Sequence, residues 1–138
     1  MSSRSKARKR AIDAIYAADL RKVSPETLLA ETQLQVSDRQ NQDEIFSYAR
    51  DIVTGVIEHH SEIDDLLETY SEGWSIERMP NVDRAILRVG IWEILYSDTP
   101  NGVVVNEAVE VAKDYSTEES GGFINGLLSR VAGTQRAL

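Results

Sequence analysis

The side chains best suited to chemistry lie near the two ends of this chain. Arg4, Lys6, Arg8, Lys9 and Arg10 place five of the fifteen basic residues in the first ten positions, with no acid among them. Residues 11–138 therefore carry ten basic against twenty-three acidic residues, a body of −13 behind an arm of +5. A short basic arm is a way of holding phosphates, while an acidic body repels nucleic acid elsewhere and attracts a basic protein. The plain alternative is a solvated, frayed terminus. Towards the other end, Ser120-Gly121-Gly122-Phe123-Ile124-Asn125-Gly126 opens a helix whose free N–H groups could meet a phosphate while Phe123 stacks on a base. Spacing favours packing instead, with Gly122 and Gly126 at i, i+4 admitting a neighbouring helix and Phe123 in the core. Tyr16 follows Lys9 by seven residues and so lies within about 20° of the same helix face. It could offer a ring beside the arm, although spacing alone assigns it to the core.

Other chemistry is sparse. His59 and His60 are adjacent, about 100° apart on a helix, and do not share a face as i, i+4 metal ligands do; they read as a helix-end pair. Asp64, Asp65 and Glu68 fall on one turn without the surroundings of a metal loop or a glycosidase pair, and read as a solvated acidic face. No nucleophile elbow, phosphate-binding loop or dinucleotide fingerprint is present. The absence of cysteine excludes disulfides, thiolate metal sites and cysteine nucleophiles. No metal or cofactor is expected, and the chain reads as a binding protein, not an enzyme. Acidic or basic residues interrupt every apolar stretch before the roughly 18 to 20 residues of a membrane span. Asp13 and Asp19 likewise break residues 11–20 as a signal-peptide core, so the expected location is the cytoplasm.

The elements that must position these residues are helical. At 138 residues, 41% hydrophobic and 28% charged, the chain suits one domain over 1–138 with a basic arm at 1–10. Helical spacing starts near Ser5 and continues to Leu20, so the arm runs into an amphipathic first helix. Ser24-Pro25-Glu26 opens a short second helix with Leu28 and Leu29, and residues 33–42 read as a long polar loop. Ile45, Ala49, Ile52, Val53, Val56 and Ile57 predict a third helix to His59, and Ser61 caps a continuation to Tyr70. Asn81 is expected to cap residues 82–96, so apolar that this helix must be central. A turn at 98–102 precedes a helix ending near Tyr115, and Ser116-Thr117-Glu118-Glu119 opens the last. The prediction is all-α, about seven helices and no sheet.

Four segments in order, Arg4 to Tyr16, Val82-Asp83-Arg84-Ala85-Ile86-Leu87-Arg88, Val105 to Lys113 with Asn106-Glu107-Ala108, and Phe123-Ile124-Asn125-Gly126-Leu127-Leu128, resemble the bacterial transcription antitermination factor family NusB. The resemblance covers nearly the whole chain and is weakest over 33–42. It implies two small packed helical bundles, and a protein that binds boxA RNA of rRNA leader transcripts with the ribosomal protein NusE, alongside RNA polymerase and other Nus factors. By resemblance, Arg4, Lys6, Arg8, Lys9, Arg10, Tyr16, Glu119 and Phe123 gather at the RNA surface. Asp83 faces the protein partner, in keeping with a carboxylate left free at the start of the central helix. Glu119 stands where family members can carry Asp, and Gly121-Gly122 replaces a pair that can be polar or basic. An RNA-facing arm on an acidic body suits a protein that must hold RNA and a basic ribosomal protein together.

Two other readings stay open on sequence grounds: an RNA-binding accessory domain of an rRNA cytosine methyltransferase, and a scaffold that binds protein alone. Sequence also leaves open a homodimer, because an exposed helix face and a buried one look alike without partners.

Overall fold

The computed structural model describes residues 2–136, and among them every regular element is helical. Seven α-helices follow in order: α1 (Ser3–Arg21), α2 (Pro25–Gln35), α3 (Gln42–Glu58), α4 (His60–Tyr70), α5 (Asn81–Tyr96), α6 (Asn101–Tyr115) and α7 (Glu118–Arg136), with one 3-10 turn at Ile76–Arg78. Helices α1, α2 and α3 pack together, α4, α6 and α7 gather on the other side, and α5 touches both groups. Two small bundles thus share one buried helix.

Local chemistry sets the boundaries. The Ser2 hydroxyl accepts from the Ser5 N–H at 3.1 Å, so the first turn of α1 is capped ahead of its basic residues. Lys22 closes α1 in the left-handed conformation, its N–H bonded to Ala18 O. Ser24 caps α2, with Pro25 at its first position. Helix α2 reaches Gln35, so the loop expected over 33–42 shrinks to the turns at 36–41. Apolar spacing could not reveal that extension, where Arg50 of α3 donates to Gln33 Oε1 at 2.7 Å and Val36, just past the helix end, is buried. Asn41 turns in the left-handed region to start α3.

At the start of α5 the expected Asn81 cap is not made. Pro80 occupies the capping position, and the Asn81 side chain accepts from Arg84 instead. Only His59 separates α3 from α4, its ring stacked on Tyr96 at 3.9 Å between centroids. Thr117 Oγ1 accepts from the Ser120 N–H at 3.1 Å, capping α7.

From Ala85 to Ile94 every residue of α5 is buried, as its composition requires. Two glycines make that possible. A Cβ on Gly55 of α3 would overlap the Trp92 indole, and one on Gly90 would lie 2.8 Å from Leu128 Cδ1 of α7. The close-approach glycines are therefore Gly55 and Gly90, not the Gly122 and Gly126 pair expected from sequence. Gly122 faces open space, and a Cβ on Gly126 would meet only the end of Arg130.

Gly55→Ala should cost about 1 to 3 kcal/mol, because the indole must leave its rotamer or the helices must separate. Trp92→Ala should cost about 3 to 5 kcal/mol. Urea unfolding of both variants checks this, and a Gly55→Ala protein as stable as the parent would mean that Trp92 does not pack there.

Candidate nucleic-acid interface

The first helix divides its five cations between two environments. Arg4 and Arg8, at i, i+4, face α3, α5 and α6. Lys6, Lys9 and Arg10 face a different side, where they line an open cleft with Arg39, Asp13 and Tyr115. Helical geometry alone makes this split, since residues three and four apart share a face and residues two apart do not.

Arg8 is 5% exposed and is not available to phosphate. Its Nε and NH2 donate to Glu93 Oε1 and Oε2 at 2.6 and 2.9 Å. Tyr48 donates its hydroxyl to the same carboxylate at 2.8 Å. Glu107 lies 3.5 Å from Arg8 NH1 and accepts from the Ser5 hydroxyl at 2.6 Å. Burial alone would lower the Arg8 pKa, but the hydrogen bond and charge of Glu93 leave it raised. Burial, with the charge of Glu93 added, pushes the Tyr48 phenol up as well. The expectation that Arg8 belongs to the RNA-facing set is corrected here: a buried carboxylate on α5 takes its charge. Arg4 also lies outside the cleft. It sits over the Tyr48 ring at 4.2 Å and within 3.5 Å of Asp98.

The cleft itself encloses about 430 Å³. Lys9 reaches Asp114 at 3.2 Å and lies 5.8 Å from the Tyr115 ring centroid, and Arg10 lies 5.5 Å from that of Phe46. These contacts hold the two side chains over the cleft and leave them half-buried, while Lys6 and Arg39 are exposed. Arg39 escaped the sequence reading because it falls in the turns at 36–41, where no periodicity marks a side.

Asp13 and Tyr115 also line a second, smaller hollow with Ile12, Tyr16 and Val82. Tyr16 is 37% exposed, which corrects its assignment to the core: its ring lines the rim of this hollow instead. Burial raises the Asp13 pKa, against the lowering effects of the Tyr115 hydroxyl, Arg10 and Lys9. Tyr115 is raised by its own burial and by the neighbouring Asp13 charge.

Phe123 and Glu119 line neither hollow. Phe123 is half-buried, its ring 5.1 Å from that of the exposed Trp74, which no motif or periodicity in the sequence singles out. Glu119 is exposed in the first turn of α7. Asp83, expected to present a free carboxylate, is fully buried. Its Oδ2 accepts from the Ser120 hydroxyl at 2.6 Å, which ties the start of α5 to the start of α7. Sequence reasoning took the committed apolar face of α5 to be its only buried face, whereas α7 covers the other. Asp64 is likewise drawn out of the solvated acidic face assigned to it. It pairs with Arg88 through two bonds of 3.0 Å and with His60 at 3.2 Å, whereas Asp65 and Glu68 are exposed.

The described residues contain no cluster of three or more side chains able to hold a metal ion, and no helix long and apolar enough to cross a membrane. The arrangement offers ionic and stacking contacts.

A family model described as the NusB family matches residues 5–133. The chain belongs to the NusB family. It is 50% identical to the transcription antitermination protein NusB of Clavibacter sepedonicus over 136 residues, 98% of this chain and 99% of that one. The family name is that of a transcription factor, in keeping with a binding protein rather than an enzyme. Thermotoga maritima NusB superposes with a TM-score of 0.86 at 35% identity, covering 96% of this chain and 92% of that one. A chain from a crystal structure of antitermination factors NusB and NusE in complex with dsRNA superposes with a TM-score of 0.85 at 30% identity, covering 97% and 98%.

Arg8→Gln should destabilise the fold by about 3 to 5 kcal/mol, because Glu93 is left charged and buried, while the paired change Arg8→Met with Glu93→Leu should recover most of the loss. Ser120→Ala should cost about 1 to 3 kcal/mol through the buried Asp83 carboxylate it leaves without a donor. Equilibrium unfolding in urea measures both, and an Arg8→Gln protein of parental stability would show that the buried pair contributes nothing.

Proposed function

We propose that this chain is a transcription antitermination factor that binds boxA RNA of rRNA leader transcripts together with the ribosomal protein NusE, and so helps RNA polymerase read through terminators. The observation that carries this reading is the cleft at which Lys6, Lys9, Arg10 and Arg39 converge on an otherwise acidic molecule. Four cations on one side can neutralise phosphates, and the body's negative charge confines nucleic acid to that side. The similar fold found with NusE and double-stranded RNA supports the same class of partners.

Within this reading, Lys6, Lys9, Arg10 and Arg39 contact phosphates, and Tyr16 and Phe123 offer rings to bases. Glu119 lies at the rim of the RNA surface, and Arg4 steers RNA from its exposed position rather than lining the cleft. Arg8 supports the surface from beneath. Asp83 serves the NusE side indirectly, by fixing the junction of α5 and α7; as a buried group it cannot itself touch a partner. A lysine at position 83 would be buried without a counter-charge and would unfold the protein before it tested any interface. The remainder of the acidic surface suits a basic ribosomal protein.

Fluorescence anisotropy with boxA RNA and a scrambled control, with and without NusE, tests this. Binding by the chain alone should fall with salt at a log–log slope of about −2 to −3, as for three to four phosphates on a single strand. Exchange of Lys9, Arg10 and Arg39 for Gln should flatten the slope to roughly −0.7, leaving one phosphate contact. NusE should tighten binding to boxA more than to the scrambled RNA. Parental affinity and slope in the triple variant would place the RNA elsewhere, and salt-insensitive behaviour throughout would leave a protein-only scaffold.

A further inference from the structure

We propose that the hollow between Tyr16 and Tyr115 is a base pocket that takes one unstacked guanine, with the Asp13 carboxylate accepting from its Watson–Crick edge. This inference rests on the RNA-binding reading and adds to it a base identity.

Three features support it. The hollow, of about 260 Å³, opens beside the cationic cleft, and Asp13 and Tyr115 form the wall between them. A strand whose phosphates lie on Lys6, Lys9 and Arg10 therefore passes the mouth of the pocket. Its lining is what a base needs: two tyrosine rings, 37% and 39% exposed, with Ile12 and Val82 completing the apolar surface. Rings with this much free surface can be covered by a base, and such stacking accepts any of the four.

Selection falls to Asp13. An ionised carboxylate has two acceptor oxygens and no donor. Guanine presents N1–H and the N2 amine side by side, so it can satisfy both oxygens at once. Cytosine and adenine each offer one amine beside a ring-nitrogen acceptor, and uracil offers one N–H between two carbonyls, so each sets an acceptor against the carboxylate. Asp13 is exposed and lines the hollow, so its carboxylate is within reach of a base seated there.

The test uses the full chain and fluorescein-labelled oligouridine carrying a single central guanine, adenine, cytosine, uridine or inosine. Guanine should bind tighter than uridine by roughly 5- to 150-fold, the discrimination of one good bidentate contact. Inosine, which lacks the N2 amine, should lose most of that preference without any change to the protein. Asp13→Asn should bring guanine and uridine to within about twofold, since an amide presents one acceptor and one donor. Removing a negative charge raises affinity for every RNA, so the ratio between bases is the readout, and the salt slope should stay parental. Tyr115→Leu should weaken all five oligonucleotides together. A guanine preference that survives both inosine and Asp13→Asn, or no preference in the parent, overturns the pocket while salt-dependent binding keeps the RNA reading. If none of the oligonucleotides binds in a salt-dependent way, the RNA reading itself fails and the pocket with it.

Discussion

The bidentate pair between Arg8 and Glu93 is the constraint on which the rest of this molecule depends. It joins the basic first helix to the buried fifth, and Tyr48 and Glu107 bring the third and sixth helices to the same charges. Such a pair gains little net stability over apolar side chains of the same size, because both charges lose their water. What it fixes is rotation. With Arg8 committed inward, the 100° step between residues sets where the neighbouring cations point, and Lys6, Lys9 and Arg10 are turned to one side. The position of the cationic cleft therefore follows from a contact that never touches it.

Helix α5 repeats this device along its length. Asp83, Arg88 and Glu93 are all buried, five residues apart, so successive members point about 140° from one another. Each meets a different neighbour: Asp83 the Ser120 hydroxyl of α7, Arg88 the carboxylates of Asp64 on α4 and Asp19 on α1, and Glu93 Arg8 on α1. A helix buried on every side has no polar face to define its rotation, and an apolar surface slides more easily than a directional one. Three directional contacts hold it in one register, and through it the two bundles that share it.

The charge distribution then acquires a physical use. Acidic side chains dominate the body, and the inward-facing ones neutralise Arg8, Arg84 and Arg88. The exposed remainder sets a negative field, broken where Lys6, Lys9, Arg10 and Arg39 meet. A polyanion is steered to that gap, and a basic protein to the surface around it. The molecule in this way presents surfaces of opposite charge side by side without mixing them.

Sequence by itself determined the elements and the family. Apolar spacing of three and four and the helix-start signals are local properties, and they marked all seven helices, the burial of α5 and the opening of α7 at residues 116–119. The charge split and the quoted family segments pointed to RNA and a basic protein. Tertiary structure alone decided which charges are free. Arg8 and Lys9 are adjacent and chemically alike, yet one is neutralised by Glu93, eighty-five positions away, and the other looks onto the cleft. Asp83 and Asp64 looked solvent-facing because their partners, Ser120 and Arg88, lie on other helices. Arg39 and Tyr115 looked unremarkable because each becomes part of a site only when α1 is laid beside it. Helix propensity and amphipathicity are written over three or four residues, but the exposure of a charge depends on what packs against it, and that is settled only when the helices dock.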